Sequence, residues 1–523
     1  MDTKALRQKV LDLAIRGKLV SQDPNDEPAS VLLERIRQQK QQMVKEGKLK
    51  AKDIKNDTII FVGEDNLHYE KFSDGSVKCI EDEVPFGLPD GWAWVRLGNL
   101  SAAIQYGLSN SAEPQGTHRL LRITDIQDGK VDWNAVPFTT VNDPEAYLLK
   151  TGDIVFARTG ATVGKSFLIT ETPYPSVYAS YLIRIRLLGS LSPEYIYQFF
   201  DSACYWSQIT DKSVGVGQPN CNGTSLKELF IPLPPISEQL RIVPTAQALL
   251  AYVAKIDAEK KSLLSIIMAT KSKILDLAIR GQLIPQDPND EPASVLLERI
   301  RAEKEELIKQ GKIKRDKKES VIFRGEDNSY YEKMADGKLH CLDDQLPFEL
   351  PDGWEWCNLS MIGTTNIGLT YRPTDIEPGG IMVLRSCNIV NDQVDLNDLV
   401  RVKTTVRENQ FAQKNDILIC ARNGSRSLVG KCALIPDLGE PASFGAFMAI
   451  YRTEYFEFIV HYLRSSFFRS VFDDSNSTAI NQLTQDMLKR AIVPLPPLSE
   501  QRRIVEAIGA MLFELNQIEK SLS

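Results

Sequence analysis

The sequence predicts an α+β protein: two mixed α/β modules separated by a long antiparallel two-helix coiled coil, in a pseudo-two-fold, near-circular arrangement. The chain is written almost twice. LDLAIRG at residues 11–17 returns at 275–281, and DPNDEPASVLLERIR at 23–37 returns letter for letter at 287–301. LPDGW recurs at 88–92 and 350–354, and IPLPPISEQLRIV at 231–243 answers VPLPPLSEQRRIV at 493–505, so the offset of these segments stays between 262 and 264 residues. Between the matched segments lie less similar stretches that mix β-like and helix-like runs, and after PLPP comes a heptad pattern. Head-to-tail duplication gives one chain an internal two-fold relation, which suits a partner that is itself two-fold related, duplex DNA above all.

The heptad segment is the most legible element. Pro232, Pro234 and Pro235 bar an earlier helix and Ser237 is a suitable N-cap. Ile242, Ala246, Leu249, Val253, Ile256, Leu263, Ile267, Ile274 and Leu277 then follow 4-3-4-3 spacing, broken only at Lys260 and Thr270. The helix is expected over 237–283, with a kink at Pro244 and a stop at Gly281. A second copy appears cut in two. Ile504, Ile508, Met511, Leu515, Ile518 and Leu522 form the first part of its seam, and Leu6, Val10 and Leu13 form the second. The two ends of the chain are therefore expected to meet mid-helix, with the split copy packed antiparallel on the intact one.

The remaining elements follow in order. Residues 1–20 are the second part of the split helix, and 21–84 an accessory helix and hairpin. Pro28 is read as the first helical residue of that element, and Asp74-Gly75 as its turn. Residues 85–235 form the first module, 236–284 the central helix, 285–346 the repeated accessory element, 347–497 the second module, and 498–523 the first part of the split helix. Each module shows β-like runs (154–157 and 181–187; 417–421 and 447–451) and one helix-like stretch (193–208; 455–472). Trp92, Trp94, Trp354 and Trp356 are expected to anchor the cores. LRITDI at 121–126 against LRSCNI at 384–389, DIVFARTG against DILICARNG, and VGK at 163–165 against 429–431 mark a shared frame with rewritten loops.

Composition excludes several classes. The 523 residues are 43% hydrophobic and 25% charged, with no long uncharged apolar run, so neither a membrane span nor a signal peptide is expected. The eight cysteines form no CxxC pair and read as reduced, mostly buried cytoplasmic thiols. Gly160–Ser166 is one residue short of a P-loop, and no catalytic nucleophile, metal-binding or amino-methyltransferase motif appears, so no chemistry and no cofactor are assigned to this chain. A net charge of −7 is unusual for a free-standing DNA binder. Two cationic runs, 34–55 and 299–318, offset it locally, as a solvated helix face or a phosphate-tracking surface.

Polar loops suited to base edges remain. In the first module they present Arg122, Arg158, Thr159, Lys165, Lys212, Gln218, Asn220 and Asn222. In the second they present Tyr371, Arg372, Arg385, Arg422, Asn423, Arg426, Lys431, Asn476, Asn481 and Gln482. Arginine pairs bidentately with guanine, and asparagine or glutamine with adenine.

Two divergent modules, each opened by LPxGW and closed by PLPPxSEQ before a long helix, resemble the specificity subunit of bacterial type I restriction–modification enzymes over nearly the whole chain. The resemblance implies that each module is a target recognition domain reading one half of a bipartite, asymmetric site on double-stranded DNA, with the helices fixing the spacer. It implies two DNA methyltransferase (modification) subunits bound along the helices, for which Ile242, Leu249, Val253, Ile256, Ile504, Met511 and Leu515 are the candidate contacts, and restriction/translocase subunits docked on those. S-adenosylmethionine, ATP and Mg would then belong to the partner subunits. A coiled-coil scaffold that joins proteins without touching DNA accounts for the helices and the acidity, but not for two elaborate modules; an enzyme comes third.

Overall fold

The computed structural model describes residues 2–127, 129–212, 220–313, 315, 320–473 and 482–522. The chain divides into two units, Met1–Lys260 and Lys261–Ser523, with the boundary inside the helix Ile236–Ile279. That helix is uninterrupted through Pro244. At about 1.5 Å per residue its 44 residues are about 66 Å long.

In the first unit the module is organised around the strand Ile154–Ala157, flanked by antiparallel Ser166–Leu168 and Leu182–Leu187, with Ser101–Tyr106 beyond the latter. All four residues of the strand are buried because it is covered on both faces. Its side chains alternate: Ile154 and Phe156 enter a helical core with Ile183, Ile185 and Phe199, while Val155 and Ala157 enter a second core with Phe167, Tyr178 and Leu182. Ser176–Tyr178, which contributes Tyr178 to that second core, runs parallel to His118–Leu121.

The second unit repeats the plan. Ile417 and Ile419 of Ile417–Cys420 face the helical core, and Leu418 and Cys420 face the other. Each expected single helix is instead two, Pro193–Phe200 then Ala203–Lys212, and Phe456–Arg464 then Ser466–Asp473. A buried serine starts a new helix at each break: Ser202 Oγ accepts from the Tyr205 amide at 3.2 Å, and Ser465 Oγ from the Phe468 amide at 3.3 Å.

Each module leaves the frame and returns to it at one place. The strand after LPDGW, Ala93–Arg96, pairs antiparallel with the PLPP strand Phe230–Leu233, Trp94 facing Pro232. In the second unit Glu355–Asn358 pairs with Ile492–Leu495, Trp356 facing Pro494. Trp92, Trp94, Trp354 and Trp356 are all buried.

The SEQ motif closes this junction. Glu238 is 2% exposed, accepting the Trp92 indole N–H at 2.8 Å and the Gln22 amide at 2.7 Å. Glu500 is 1% exposed and accepts from Trp354 at 3.0 Å and Gln286 at 3.3 Å. Burial holds both carboxyls above the ordinary glutamate range, and the tryptophan hydrogen bond opposes that rise. The neighbouring glutamines cap the proline loop, Gln239 donating to the Pro234 carbonyl at 3.0 Å and Gln501 to the Pro496 carbonyl at 2.9 Å. Two residues on, Arg241 grips Asp26 at 2.5 Å and Arg503 grips Asp290 at 2.6 Å. Gly17 and Gly281 end their helices at φ +63° and +66°, and a Cβ there would meet Pro89 and Pro351 at 2.5 and 2.4 Å.

Within the first unit Thr3–Ile15 lies antiparallel on the first half of the central helix, Thr3 Oγ1 donating to Asp257 at 2.8 Å. Within the second, Leu498–Leu522 lies antiparallel on the other half, Lys271 pairing with Glu519 at 2.5 Å. The seam differs from the heptad reading. Leu6 is exposed and Val10 and Leu13 half-buried, whereas Leu11, Ala14 and Ile15 are buried. In mid-helix Leu249, Ile256 and Leu263 stay 36–39% exposed.

The accessory elements are helices Ala29–Lys45 and Ala293–Lys309, each followed by a three-stranded antiparallel sheet, one strand more than expected. Pro28 is the cap itself, one position before its expected place. In the first cationic run Lys40 is buried and bonded to Asp57 at 2.7 Å and the Gly98 carbonyl at 2.8 Å, so that charge holds structure together. The eight cysteines are unpaired, and Cys79, Cys341 and Cys387 are exposed rather than buried. Among the described residues no helix is long and apolar enough to cross a membrane.

Trp92→Phe should lower stability by roughly 2–4 kcal/mol through a lost buried hydrogen bond and lost volume. Without the indole donor the Glu238 carboxyl rises further. The folded state then holds a proton that the unfolded state releases, so the deficit grows as pH rises from the ordinary glutamate value toward neutrality. Denaturant melts of both proteins at pH 5 and pH 8 measure this; an equal deficit at both would contradict it.

Candidate nucleic-acid interface

The strand at the centre of each module is anchored at one end and opens into polar loop at the other. Asp153, buried just before Ile154–Ala157, receives Arg186 in a bidentate pair at 2.7 and 2.6 Å. Asp416 receives Arg452 at 2.6 and 2.7 Å in the same place. These bonds hold Arg186 and Arg452 above the ordinary arginine value. At the far end three segments meet. The Arg158 amide donates to the Tyr181 carbonyl at 3.1 Å, the Cys221 amide to the Arg158 carbonyl at 3.0 Å, and Thr159 pairs with Asn220 across a β-bridge. In the second unit the Ala421 amide donates to the Phe447 carbonyl at 2.9 Å, the Leu483 amide to the Ala421 carbonyl at 2.7 Å, and Arg422 pairs with Gln482.

The VGK frame follows as a 3-10 turn, Gly160–Thr162 or Arg426–Leu428, and a short strand. Gly164 sits at φ +89°, where a Cβ would meet Trp206 at 2.5 Å, so this glycine serves close packing rather than a phosphate cradle. Loops 158–165 and 422–431 carry Arg158 and Lys165, and Arg422, Arg426 and Lys431, without one acidic residue. Their sign opposes that of the whole chain.

Arg158, Thr159 and Asn220 come together at one junction, and Arg422, Asn423 and Gln482 at the other. Lys165 and Arg426 are exposed on the same loops and Lys431 is half-buried. Gln218, Asn476 and Asn481 lie outside the described residues.

Several candidates are engaged locally instead. Arg122 closes a 3-10 turn onto Asp125 at 2.7 and 3.1 Å, and Arg385 holds Asp398 at 3.0 Å in the matching place. Lys212 pairs with Glu228 at 3.2 Å. Asn222 caps a short helix, its Oδ1 accepting from the Thr224 and Ser225 amides, both at 2.9 Å. Tyr371 is half-buried against Leu369, Val383 and Val402, while Arg372 is exposed, its amide bonded to Asp375.

Of the helix candidates, Ile242 and Ile504 are fully buried in their own units and cannot face another subunit. Leu249, Ile256 and Met511 are exposed, and Val253 and Leu515 half-buried. The sequence reading missed Tyr181 and Phe447, 64% and 61% exposed at the carbonyls that receive the junction amides. Both were read only as the first residue of a β-like run. Laying SYLIRIR over AFMAIYR brings the two aromatics into register.

The comparisons agree with this geometry. The family described as type I restriction modification DNA specificity domain matches residues 89–266 and again 351–522. The specificity subunit of type I restriction enzyme EcoAI from Escherichia coli is 28% identical, over 99% of this chain and 90% of its own. That of EcoEI, also from Escherichia coli, is 26% identical over the same shares. A solved chain from work on complex assembly and conformational transition of the type I R-M system is 18% identical and superposes with a TM-score of 0.51, covering 84% of this chain and 94% of that one; it supports the fold alone.

Asn222→Ala should lower stability by about 0.5–2 kcal/mol and Asn222→Asp should keep it, because either the amide or the carboxylate accepts the two amides. Denaturant melts distinguish a cap from a free loop side chain, whose replacement by either residue would leave the midpoint unchanged.

Proposed function

This chain belongs to the type I restriction–modification DNA specificity family, and from that we propose that each module reads one half of a bipartite, asymmetric DNA site. The chain is a specificity subunit that supplies recognition rather than catalysis. What carries the half-site reading is the pair of acid-free loops at matching places of one frame, bearing Arg158-Thr159 in one copy and Arg422-Asn423 in the other. The same buried strands and Asp–Arg anchors hold both loops, which differ in length and in what they present.

DNA and the methyltransferase and restriction subunits are the partners of such a subunit. Two modification subunits would bind along the helices, where the central helix exposes Leu249, Tyr252, Ile256, Leu263, Ile266 and Met268. Leu249, Tyr252 and Ile256, spaced i, i+3 and i+7, share one exposed helix face, and such a face fits a protein partner. S-adenosylmethionine would belong to the modification subunits, and ATP and Mg to the restriction subunits. Cations on those partners would compensate for a recognition chain of net charge −7. The central helix, about 66 Å long, would set the unread spacer. A scaffold that never touches DNA is disfavoured by the DNA specificity domain matched twice in the chain.

Exchanging residues 85–235 for the corresponding module of another family member should change one half-site and leave the other and the spacer intact. Mapping methylated adenines in a host carrying the hybrid reads this directly; a change in both halves, or in neither, contradicts it. Removing seven residues from the exposed middle of the central helix, with the matching seven from its partner segments, shortens the helix by about 10 Å, or roughly three base pairs. The same map should then show a shorter spacer between unchanged halves.

A further inference from the structure

The letters pair Arg158 with Arg422, but the backbone does not. By their hydrogen bonds Arg158 and Ala421 are the matching residues: each amide donates to the carbonyl of an exposed aromatic, and each carbonyl receives the amide of Cys221 or Leu483. The bridge confirms the step, since Thr159 pairs with Asn220 where Arg422 pairs with Gln482. One inserted residue has moved the arginine one place along: the Ala421 and Arg422 amides both donate to the Phe447 carbonyl, at 2.9 and 3.0 Å, so two residues face one where Arg158 alone faces Tyr181. The rings follow. The Arg158 guanidinium lies 4.8 Å from the Tyr106 ring, and Tyr106 is held in turn by the Gly223 amide, which donates to its hydroxyl at 2.9 Å. The Arg422 guanidinium lies 5.5 Å from the Phe447 ring. Ile367 stands where Tyr106 would be, since the amide of the next residue donates to the Leu182 carbonyl in one unit and the Met448 carbonyl in the other. No carboxylate pairs with Arg158 or Arg422 among the described residues, and the rings are their aromatic neighbours.

We propose that this one-residue shift is a specificity device: Tyr106 aims Arg158 and Phe447 aims Arg422 at guanine edges, from different positions at the same strand end. An arginine that reads N7 and O6 bidentately must arrive in one plane, and a cation–π contact restricts the planes open to it. Tyr106 and Phe447 are thus positioning residues, and the two half-sites differ partly because different rings hold the same side chain. The inference rests on the half-site reading above and deepens it.

The test uses the full chain with its modification subunits in a host whose methylated adenines are mapped, together with binding to duplexes carrying single base-pair changes. Phe447→Leu should cut discrimination at one guanine of the second half-site about tenfold, leave the first half unchanged, and be rescued by Phe447→Tyr. Tyr106→Leu should do the same in the first half, with rescue by Tyr106→Phe although the hydroxyl is lost. Thr159→Arg combined with Arg158→Ala, which copies the second unit's register, should move the guanine preference within the first half. If leucine and aromatic variants behave alike, or if the register exchange leaves the preference where it was, the proposal is overturned. The module exchange separates this outcome from failure of the half-site reading. A hybrid that switches one half-site while the ring variants are silent rejects the aiming role alone.

Discussion

Everything else in each unit hangs on one buried carboxylate. Glu238 and Glu500 sit at the first turn of a long helix, where an amide-rich helix start favours negative charge, yet each is nearly sealed from water. Such a group is tolerated only if its lone pairs are filled. Its two donors come from distant parts of the sequence, the tryptophan that opens the module and a glutamine beyond the preceding helix, and the carboxylate itself belongs to the long helix. One side chain therefore fixes how module, accessory element and helix meet. It fixes them alike in both copies because the same three letters recur.

That explains which parts were readable in the sequence. The repeated words LPDGW, PLPP and SEQ are residues with a single geometric duty, so they stand unchanged in both copies. The helices were legible through heptad spacing, and the module cores through runs such as 154–157, buried on both faces. What escaped depends on tertiary arrangement. Ser202 and Ser465 break helices whose apolar pattern is continuous across the break, because a buried hydroxyl can cap a helix as well as sit inside one. The seam of the central helix was drawn through Leu249, Ile256 and Leu263, which stay exposed, because periodicity marks an apolar stripe without saying what covers it.

The geometry of the candidate interface was half legible. Loop polarity named Arg158, Thr159, Asn220, Arg422 and Gln482, which the backbone brings together at two junctions, but it could not separate side chains that face solvent from those closing a local turn. Arg122, Arg385 and Asn222 belong to the second group, each bonded to an acceptor or donor two to thirteen positions away. The letter match also misplaced an arginine by one backbone position, since alignment rewards identity and the hydrogen-bond ladder does not.

The pairing of entry and exit strands has a consequence for how such a chain changes over generations. Trp94 opposite Pro232 and Trp356 opposite Pro494 bring each module's two ends back to one doorway. Whatever lies between can lengthen or shorten without tugging on the helices outside. The VGK words of the two copies are spaced further apart than the LPDGW words that precede them or the PLPP words that follow, so insertions and losses inside the modules have cancelled. A frame closed at its doorway can inherit new interiors whole, and a lineage can change what it recognises while its architecture stays still.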